Sequence, residues 1–173
     1  ETTGLNFVND EIIEIAIVVV DSLTEKVKEY YQFFLEAKRI DEEAAKINGY
    51  CVGKWGPKAD NPCKVAEKVN RILKDADEIF AHNAAFDKSF ISVFLAKNGI
   101  SVRNQPKYFL DTATIAFLFK KVGIFQKINL NHCLDKLNLL SMRSEKHSAL
   151  EDAMLLKDVY FKLTKLIEIK WNN

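Results

Sequence analysis

Three short segments of this chain combine acidic residues with small or polar neighbours. They are ETTGL (1–5), NAAFD (83–87) and HSALEDA (147–153). A single acid near a helix start usually serves as a cap or balances the helix dipole. Several acids brought together by the fold do different chemistry, because carboxylate oxygens are the ligands that Mg²⁺ prefers. The question is therefore whether the fold gathers these segments.

The third segment carries a histidine as well as an acid. His147 precedes Asp152 by five residues, and an apolar, helix-like run follows. We expect His147 on the loop or first turn that enters the helix, with Asp152 inside it. An imidazole has an unperturbed pKa of about 6.5, which suits a general base, and neighbouring carboxylates should raise that pKa. Activity should then fall as the pH drops and His147 becomes protonated.

The remaining patterns predict the elements that position these segments. Apolar or aromatic runs predict strands, and apolar residues at helical spacing predict helices. The predicted strands are 11–21, 28–37 and 78–83, and the predicted helices are 41–48, 64–74, 86–99, 109–121, 130–139 and 149–169. This order is typical of an α/β fold with a mixed central sheet flanked by helices. We find no repeat or linker, so residues 1–173 are predicted to form a single domain.

Composition narrows the functional classes. The chain has 173 residues, of which 48% are hydrophobic and 28% charged, and its formal net charge is +1. This predicts a soluble globular domain without a membrane span or signal peptide. The near-neutral net charge disfavours binding of nucleic acid through a broad basic surface. Cys51, Cys63 and Cys133 lack CxxC spacing, so we expect a reducing, cytoplasmic location and no zinc site.

Together the three segments resemble the motifs of the DEDDh family of 3′–5′ exonucleases. These are the DnaQ-like enzymes that include the proofreading epsilon subunit of the bacterial replicative DNA polymerase. The family motifs are D-x-E-T-T-G, N-x-x-F-D and H-x-A-x-x-D-A. Residues 83–87 and 147–153 match the second and third, whereas residues 1–5 match the first only from its Glu onward. We therefore expect a preceding segment that carries the first strand and the first motif Asp.

The resemblance implies a ribonuclease H-like fold and a two-metal site. Glu1, Asp87 and Asp152 are the implied catalytic metal ligands for two divalent cations, Mg²⁺ or Mn²⁺, and His147 is the implied general base. Two such cations about 3.5–4 Å apart activate water and stabilise the leaving oxygen. Clustered carboxylates repel one another without metal, so metal binding should also stabilise the fold.

The same resemblance assigns residues to the substrate. Leu5 is expected to wedge against a base, and the helix around 44–49 is expected to lie over the nucleotide. Asn83 and Phe86 are also assigned to substrate binding as supports of the second motif, Phe86 by packing more than by stacking, whereas His82 is predicted to be structural. The residues expected around the terminal nucleotide are Thr2, Thr3, Gly4 and Leu5.

The function predicted from the sequence is a metal-dependent 3′–5′ exonuclease acting on single-stranded DNA, with a proofreading role. A DNA polymerase subunit is a candidate partner, and no membrane is involved. Two alternatives stay open. One is an RNA-trimming exoribonuclease of the same family, which would differ in how the pocket meets the 2′ hydroxyl. The other is a non-catalytic nucleic-acid-binding module that keeps the fold.

Overall fold

The computed structural model describes residues 1–101, 108–142 and 148–171. These residues contain four strands and six α-helices, with short 3₁₀ turns at Gly56–Lys58 and Leu140–Met142. In chain order the elements are β1 (Glu14–Val20), β2 (Val27–Phe34), α1 (Glu42–Asn48), α2 (Pro62–Asp75), β3 (Glu78–Ala81), α3 (Ala84–Lys97), β4 (Tyr108–Asp111), α4 (Thr112–Lys121), α5 (Leu130–Lys136) and α6 (Ala149–Trp171).

The strands form one antiparallel and one parallel pair. Strand β1 runs antiparallel to β2, with Glu14 opposite Phe34 and an irregularity between Val19 and Val20. Strand β3 runs parallel to β4, with Ala81 opposite Asp111. The mixed α/β character is therefore confirmed, although the described residues form two separate two-stranded sheets.

Residues 109–121 differ from the single helix that the sequence predicts. Tyr108–Asp111 is strand β4, and the helix begins only at Thr112. The short apolar run finds a parallel partner in β3, and this tertiary pairing overrides the helical spacing. Asp111 ends the strand and caps the helix, because its side chain accepts a hydrogen bond from the amide of Ala113.

Helices pack on both faces of the strands. Ile15 of β1 and Ile79 of β3 belong to one apolar cluster with α2 and α3. On the other face, Phe80 stacks on Tyr160 of α6, with ring centroids 4.3 Å apart. A second apolar cluster joins α4, α5 and α6 around the fully buried Leu134. The strands thus lie between two helical layers.

The cysteines and the helix lengths bear on the class of protein. All three cysteines are free, and burial raises the pKa of the Cys133 thiol to about 11. Within residues 1–101, 108–142 and 148–171, no helix is both long and apolar enough to cross a bilayer.

We expect Leu134→Ala to lower the free energy of unfolding by about 2–5 kcal/mol, because it empties a fully buried site. Leu118→Ala on α4 is the matched control, since that side chain is 59% exposed and its loss should change the value by less than about 0.5 kcal/mol. Urea denaturation of both variants measures the difference. Equal losses would contradict the assignment of the core to the α4–α5–α6 interface.

Candidate active site

The acids of all three motif segments line one cavity of about 1670 Å³. Glu1, Asp87 and Asp152 come from the N-terminal segment, from α3 and from α6. His147 lies outside the described residues. It directly precedes Ser148, whose carbonyl accepts the amide hydrogen bond of Asp152 at 3.0 Å in the first turn of α6. The fold therefore brings described residues of all three segments to a common cavity.

Backbone pairing with the segment before β1 positions Glu1. Thr2 forms an antiparallel bridge with Ile12, and the amide of Thr3 donates to the carbonyl of Glu11 at 2.9 Å. The carbonyl of Glu1 accepts from the amides of both Ile13 and Glu14, at 3.0 and 3.3 Å. Ile13 and Glu14 thus lie opposite the single residue Glu1, which makes a β-bulge. A bulge bends its strand and redirects its side chains.

Residues 3–5 divide between structural and exposed roles. Thr3 is fully buried, and both its amide and its hydroxyl bond to Glu11. Gly4 packs against the carboxyl of Asp10 so closely that a Cβ would clash there. Leu5 is 85% exposed and lines the cavity. The side chain available to touch a ligand is thus that of Leu5, while Thr3 and Gly4 hold the turn.

The second segment begins α3. Asn83 adopts a left-handed conformation with φ 67°, which turns the chain from β3 into the helix. Phe86 is half-buried and packs against Phe90, with centroids 4.7 Å apart, in keeping with the packing role expected for it. Asp87 lies in the first turn of the helix and lines the cavity, whereas the exposed Asn83 does not. This turn therefore carries Asp87 into the site.

Asp111 is a site residue that the sequence reasoning missed. Its carboxylate oxygen Oδ1 accepts the amide hydrogen bonds of Asn83 and Ala113, each at 2.9 Å. It thereby ties the start of α3 to the start of α4. The signal was an acid directly after the apolar run YFL, but the reading of residues 109–121 as one helix concealed it. Carboxyl ends of parallel strands share one edge of a sheet, so Asp111 reaches the end of β3.

The surroundings of Asp87 disfavour its charged form. It keeps much of its solvent exposure on the cavity side, but protein atoms surround its other sides. This desolvation raises the pKa of Asp87 to about 6, and the negative charges of Asp111 and Glu1 contribute in the same direction. The ammonium group of Glu1 acts in the opposite sense. A cation near Asp87 would stabilise the charged carboxylate.

His82 has a structural place, as predicted. The hydroxyl of the fully buried Thr112 donates to the carbonyl of Ala81 at 3.2 Å and accepts from Nδ1 of His82 at 2.9 Å. Desolvation lowers the pKa of His82, which favours the neutral ring. This residue therefore joins β3 to α4, and it also lines the cavity.

The cavity acids fit a divalent cation in type. Carboxylate oxygens are hard ligands suited to Mg²⁺ or Mn²⁺. Among the residues that the structure describes, however, no three His, Cys, Asp or Glu side chains are arranged to hold a metal. The ammonium group of Glu1 donates to the carbonyl of Glu14 at 2.8 Å and places a positive charge near Asp87.

We expect Asp87 to titrate near pH 6 in the metal-free protein and at lower pH in Asp111→Asn, which removes a negative charge but keeps an acceptor oxygen. The folded-state pKa lies above the usual 3.8, so the folded protein binds this proton more tightly than the unfolded chain. The contribution of Asp87 to the free energy of unfolding therefore falls as the pH rises from 3.8 to about 6. Carboxyl-carbon NMR titration measures both values, with Asp135→Asn as the remote control. An unshifted Asp87 in Asp111→Asn would contradict the coupling.

The chain matches the model of the exonuclease family RNase T over residues 1–160. Among similar proteins, a PolC-type DNA polymerase III of Caldanaerobacter subterraneus is 32% identical over 98% of this chain, and one of Thermotoga maritima is 26% identical over 97%. The DNA polymerase III epsilon subunit of Pasteurella multocida is 26% identical over 95% of the chain. The chain spans 11–12% of the two PolC-type proteins and 65% of the epsilon subunit.

Solved structures show the same fold. The nuclease domain of 3′hExo, a DEDDh family member bound to rAMP, gives a TM-score of 0.72 at 16% identity, covering 90% of this chain and 82% of that one. Escherichia coli Exonuclease I in complex with an oligonucleotide gives 0.77 at 18% identity, covering 96% and 39%. The fold is therefore that of the ribonuclease H-like DEDDh exonucleases. With a family match over residues 1–160 as well, this chain belongs to the RNase T family of DnaQ-like 3′–5′ exonucleases.

Proposed function

We propose that this domain is a metal-dependent 3′–5′ exonuclease that releases nucleoside monophosphates from single-stranded DNA ends. The observation that carries the proposal is the convergence of Glu1, Asp87 and Asp152 on one cavity in a chain of an exonuclease family. These acids come from segments more than 60 residues apart in the sequence, and an ordinary core would not gather them.

Two divalent cations, Mg²⁺ or Mn²⁺, are the proposed cofactors, and Glu1, Asp87 and Asp152 are their proposed ligands. When bound, such ions supply an activated water and stabilise charge on the leaving oxygen. The raised pKa of Asp87 supports this assignment, because the site favours compensation of its negative charge. A cation provides that compensation at neutral pH.

Two residues of the chain are proposed to accept the proton of the attacking water and to position Asp87. His147 is the proposed general base, and in the sequence it directly precedes Ser148, after which α6 begins at Ala149. Asp111 is a positioning residue, because its bond to the amide of Asn83 fixes the turn that carries Asp87. The general base must be neutral to accept a proton, so acid conditions should suppress the reaction.

Two exposed apolar side chains support a nucleotide pocket at the same cavity. Leu5 is 85% exposed, and Ile47 of α1 is 61% exposed, and both line the cavity. Asn48 of α1 donates to the carbonyl of Thr2 at 3.1 Å, which ties this helix to the first motif. An exposed Leu beside a charged site offers a surface for a base, so we assign Leu5 to the terminal nucleotide.

DNA is the proposed substrate because the relatives above are named as DNA polymerase III proteins. A DNA polymerase is accordingly the proposed partner. RNA trimming is the second candidate, since a solved neighbour is described as bound to rAMP. The protein's contact with the 2′ hydroxyl separates the two, and parallel assays on DNA and RNA 3′ ends decide between them.

We expect Asp152→Asn to reduce exonuclease turnover by on the order of 10²–10³-fold or more, because a lost metal ligand removes several kcal/mol of transition-state stabilisation. Asp135→Asn, an exposed acid on α5 outside the cavity, is the matched control and should keep full activity. Release of mononucleotides from 3′-labelled single-stranded DNA is measured with Mg²⁺, Mn²⁺ or EDTA. Metal-independent release, or no release at all, would overturn the enzymatic proposal in favour of a non-catalytic module.

His147→Ala should lower kcat by about 10²–10⁴-fold and remove the acid limb of the pH–rate profile, because the base no longer titrates. His132→Ala on α5 is the matched control, since His132 lies outside the cavity. A His147→Ala enzyme with an unchanged acid limb would show that another group accepts the proton.

A further inference from the structure

A second, smaller cavity of about 450 Å³ lies outside the candidate active site. The described residues that line it are Phe34, Lys54, Trp55, Pro57 and Lys58. Two of the five are lysines, two are aromatic, and none of the five is acidic. This volume is within the range of ligand sites. Cations beside flat apolar side chains suit a ligand that carries both negative charge and planar rings.

One carboxylate holds the loop that presents these side chains. Glu36 accepts from the hydroxyl of Tyr50 at 3.0 Å, from the amide of Gly53 at 3.1 Å and from the amide of Gly56. The two glycines have φ of 77° and 46°, a backbone conformation that other residues adopt only with strain. The loop is therefore fixed before any ligand binds, and a preformed site loses less entropy on binding.

Trp55 anchors this loop to the body of the domain. Its Nε1 donates to the carbonyl of Ile13 at 3.0 Å, and its ring packs against Phe34 with centroids 4.6 Å apart. These contacts explain why the ring is half-buried. They do not involve Pro57 and Lys58, which are exposed and line the smaller cavity beside the ring. The cavity therefore combines a fixed aromatic wall with side chains that have no part in the core.

Lys54 connects the smaller cavity to the candidate active site. Its Nζ lies 4.7 Å from the ring centroid of Trp55 and donates to the carbonyl of Gly49 at 2.8 Å. Gly49 ends α1, and the two residues before it, Ile47 and Asn48, line the larger cavity. The ammonium group of Lys54 thus lies between the end of α1 at the larger cavity and the aromatic wall of the smaller one.

The local charge favours a polyanion. Residues 44–59 contain three lysines and no Asp or Glu, in a chain whose formal net charge is only +1. The next acid, Asp60, uses its carboxylate to accept the amide of Phe34 at 2.8 Å. Single-stranded nucleic acid offers phosphates to lysines and unstacked bases to aromatic side chains. An acidic peptide would use only the lysines, and a duplex would hide its bases.

We propose that the cavity formed by Phe34, Lys54, Trp55, Pro57 and Lys58 is a second binding site for single-stranded nucleic acid. It holds a nucleotide on the 5′ side of the terminal one while the 3′ end occupies the candidate active site. The base packs against the aromatic wall, and the two lysines contact its flanking phosphates. The path of the strand rests on the proposed exonuclease function, whereas binding at this cavity requires no hydrolysis.

The test compares Lys54→Gln/Lys58→Gln with a matched control, Lys97→Gln/Lys136→Gln, which removes two exposed lysines of α3 and α5 outside both cavities. Fluorescence anisotropy measures the Kd of a labelled thymidine dodecanucleotide in EDTA over a series of salt concentrations. We expect the first variant to raise the Kd about tenfold and to reduce the slope of log Kd against log salt by about 1.4, since each phosphate contact contributes about 0.7. The control should match the wild type.

Two further measurements locate the effect. Lys58→Gln alone should reduce the salt slope by about 0.7, and it keeps the bond between Lys54 and Gly49 intact. Trp55 and Trp171 are the two tryptophans of the chain. In Trp171→Phe, quenching by the dodecanucleotide therefore reports on Trp55, and we expect it to saturate at the Kd measured by anisotropy.

An unchanged Kd in the Lys54→Gln/Lys58→Gln protein, an equal loss in the control, or no binding by the wild type would overturn the inference. Continued release of mononucleotides with Mg²⁺ would leave the exonuclease function standing in that case. Binding at Trp55 without metal-dependent release would contradict the exonuclease function alone. Equal quenching by an oligo-aspartate peptide would also overturn the inference, because the occupant would then be an acidic protein segment.

Discussion

The parallel pairing of β3 with β4 is the constraint on which the candidate site depends. It brings the carboxyl ends of both strands to one edge, where Ala81 lies opposite Asp111. From this point Asp111 accepts the amide of Asn83 and holds the left-handed turn that starts α3. The place of Asp87 therefore follows from a strand pairing several residues away, and not from its own helix alone.

Electrostatics connects this geometry to function. A cavity that gathers carboxylates costs folding free energy as long as their charges are uncompensated. The raised pKa of Asp87 is the sign of that cost, and Asp111 and Glu1 both add to it. A divalent cation at the proposed site would offset this cost, and its binding would stabilise the fold.

The N-terminal segment forms part of the cavity wall. Residues 1–3 pair with residues 11–14, and the bulge at Ile13 and Glu14 aims Glu1 at the site. Among the residues that the structure describes, β1 pairs only with β2, and both β1 and β3 line the cavity.

The sequence by itself determined the identity of the motif segments and the type of most elements. Apolar runs marked β1 and β3, Gly49 marked the end of α1, and three motifs in order indicated the family. It did not reveal β4, because the four residues Tyr108–Asp111 carry too little periodicity to separate them from the helix that follows. Consequently it also missed Asp111. Only the tertiary structure decided these points, because strand partners and charge proximity arise between residues far apart in the chain.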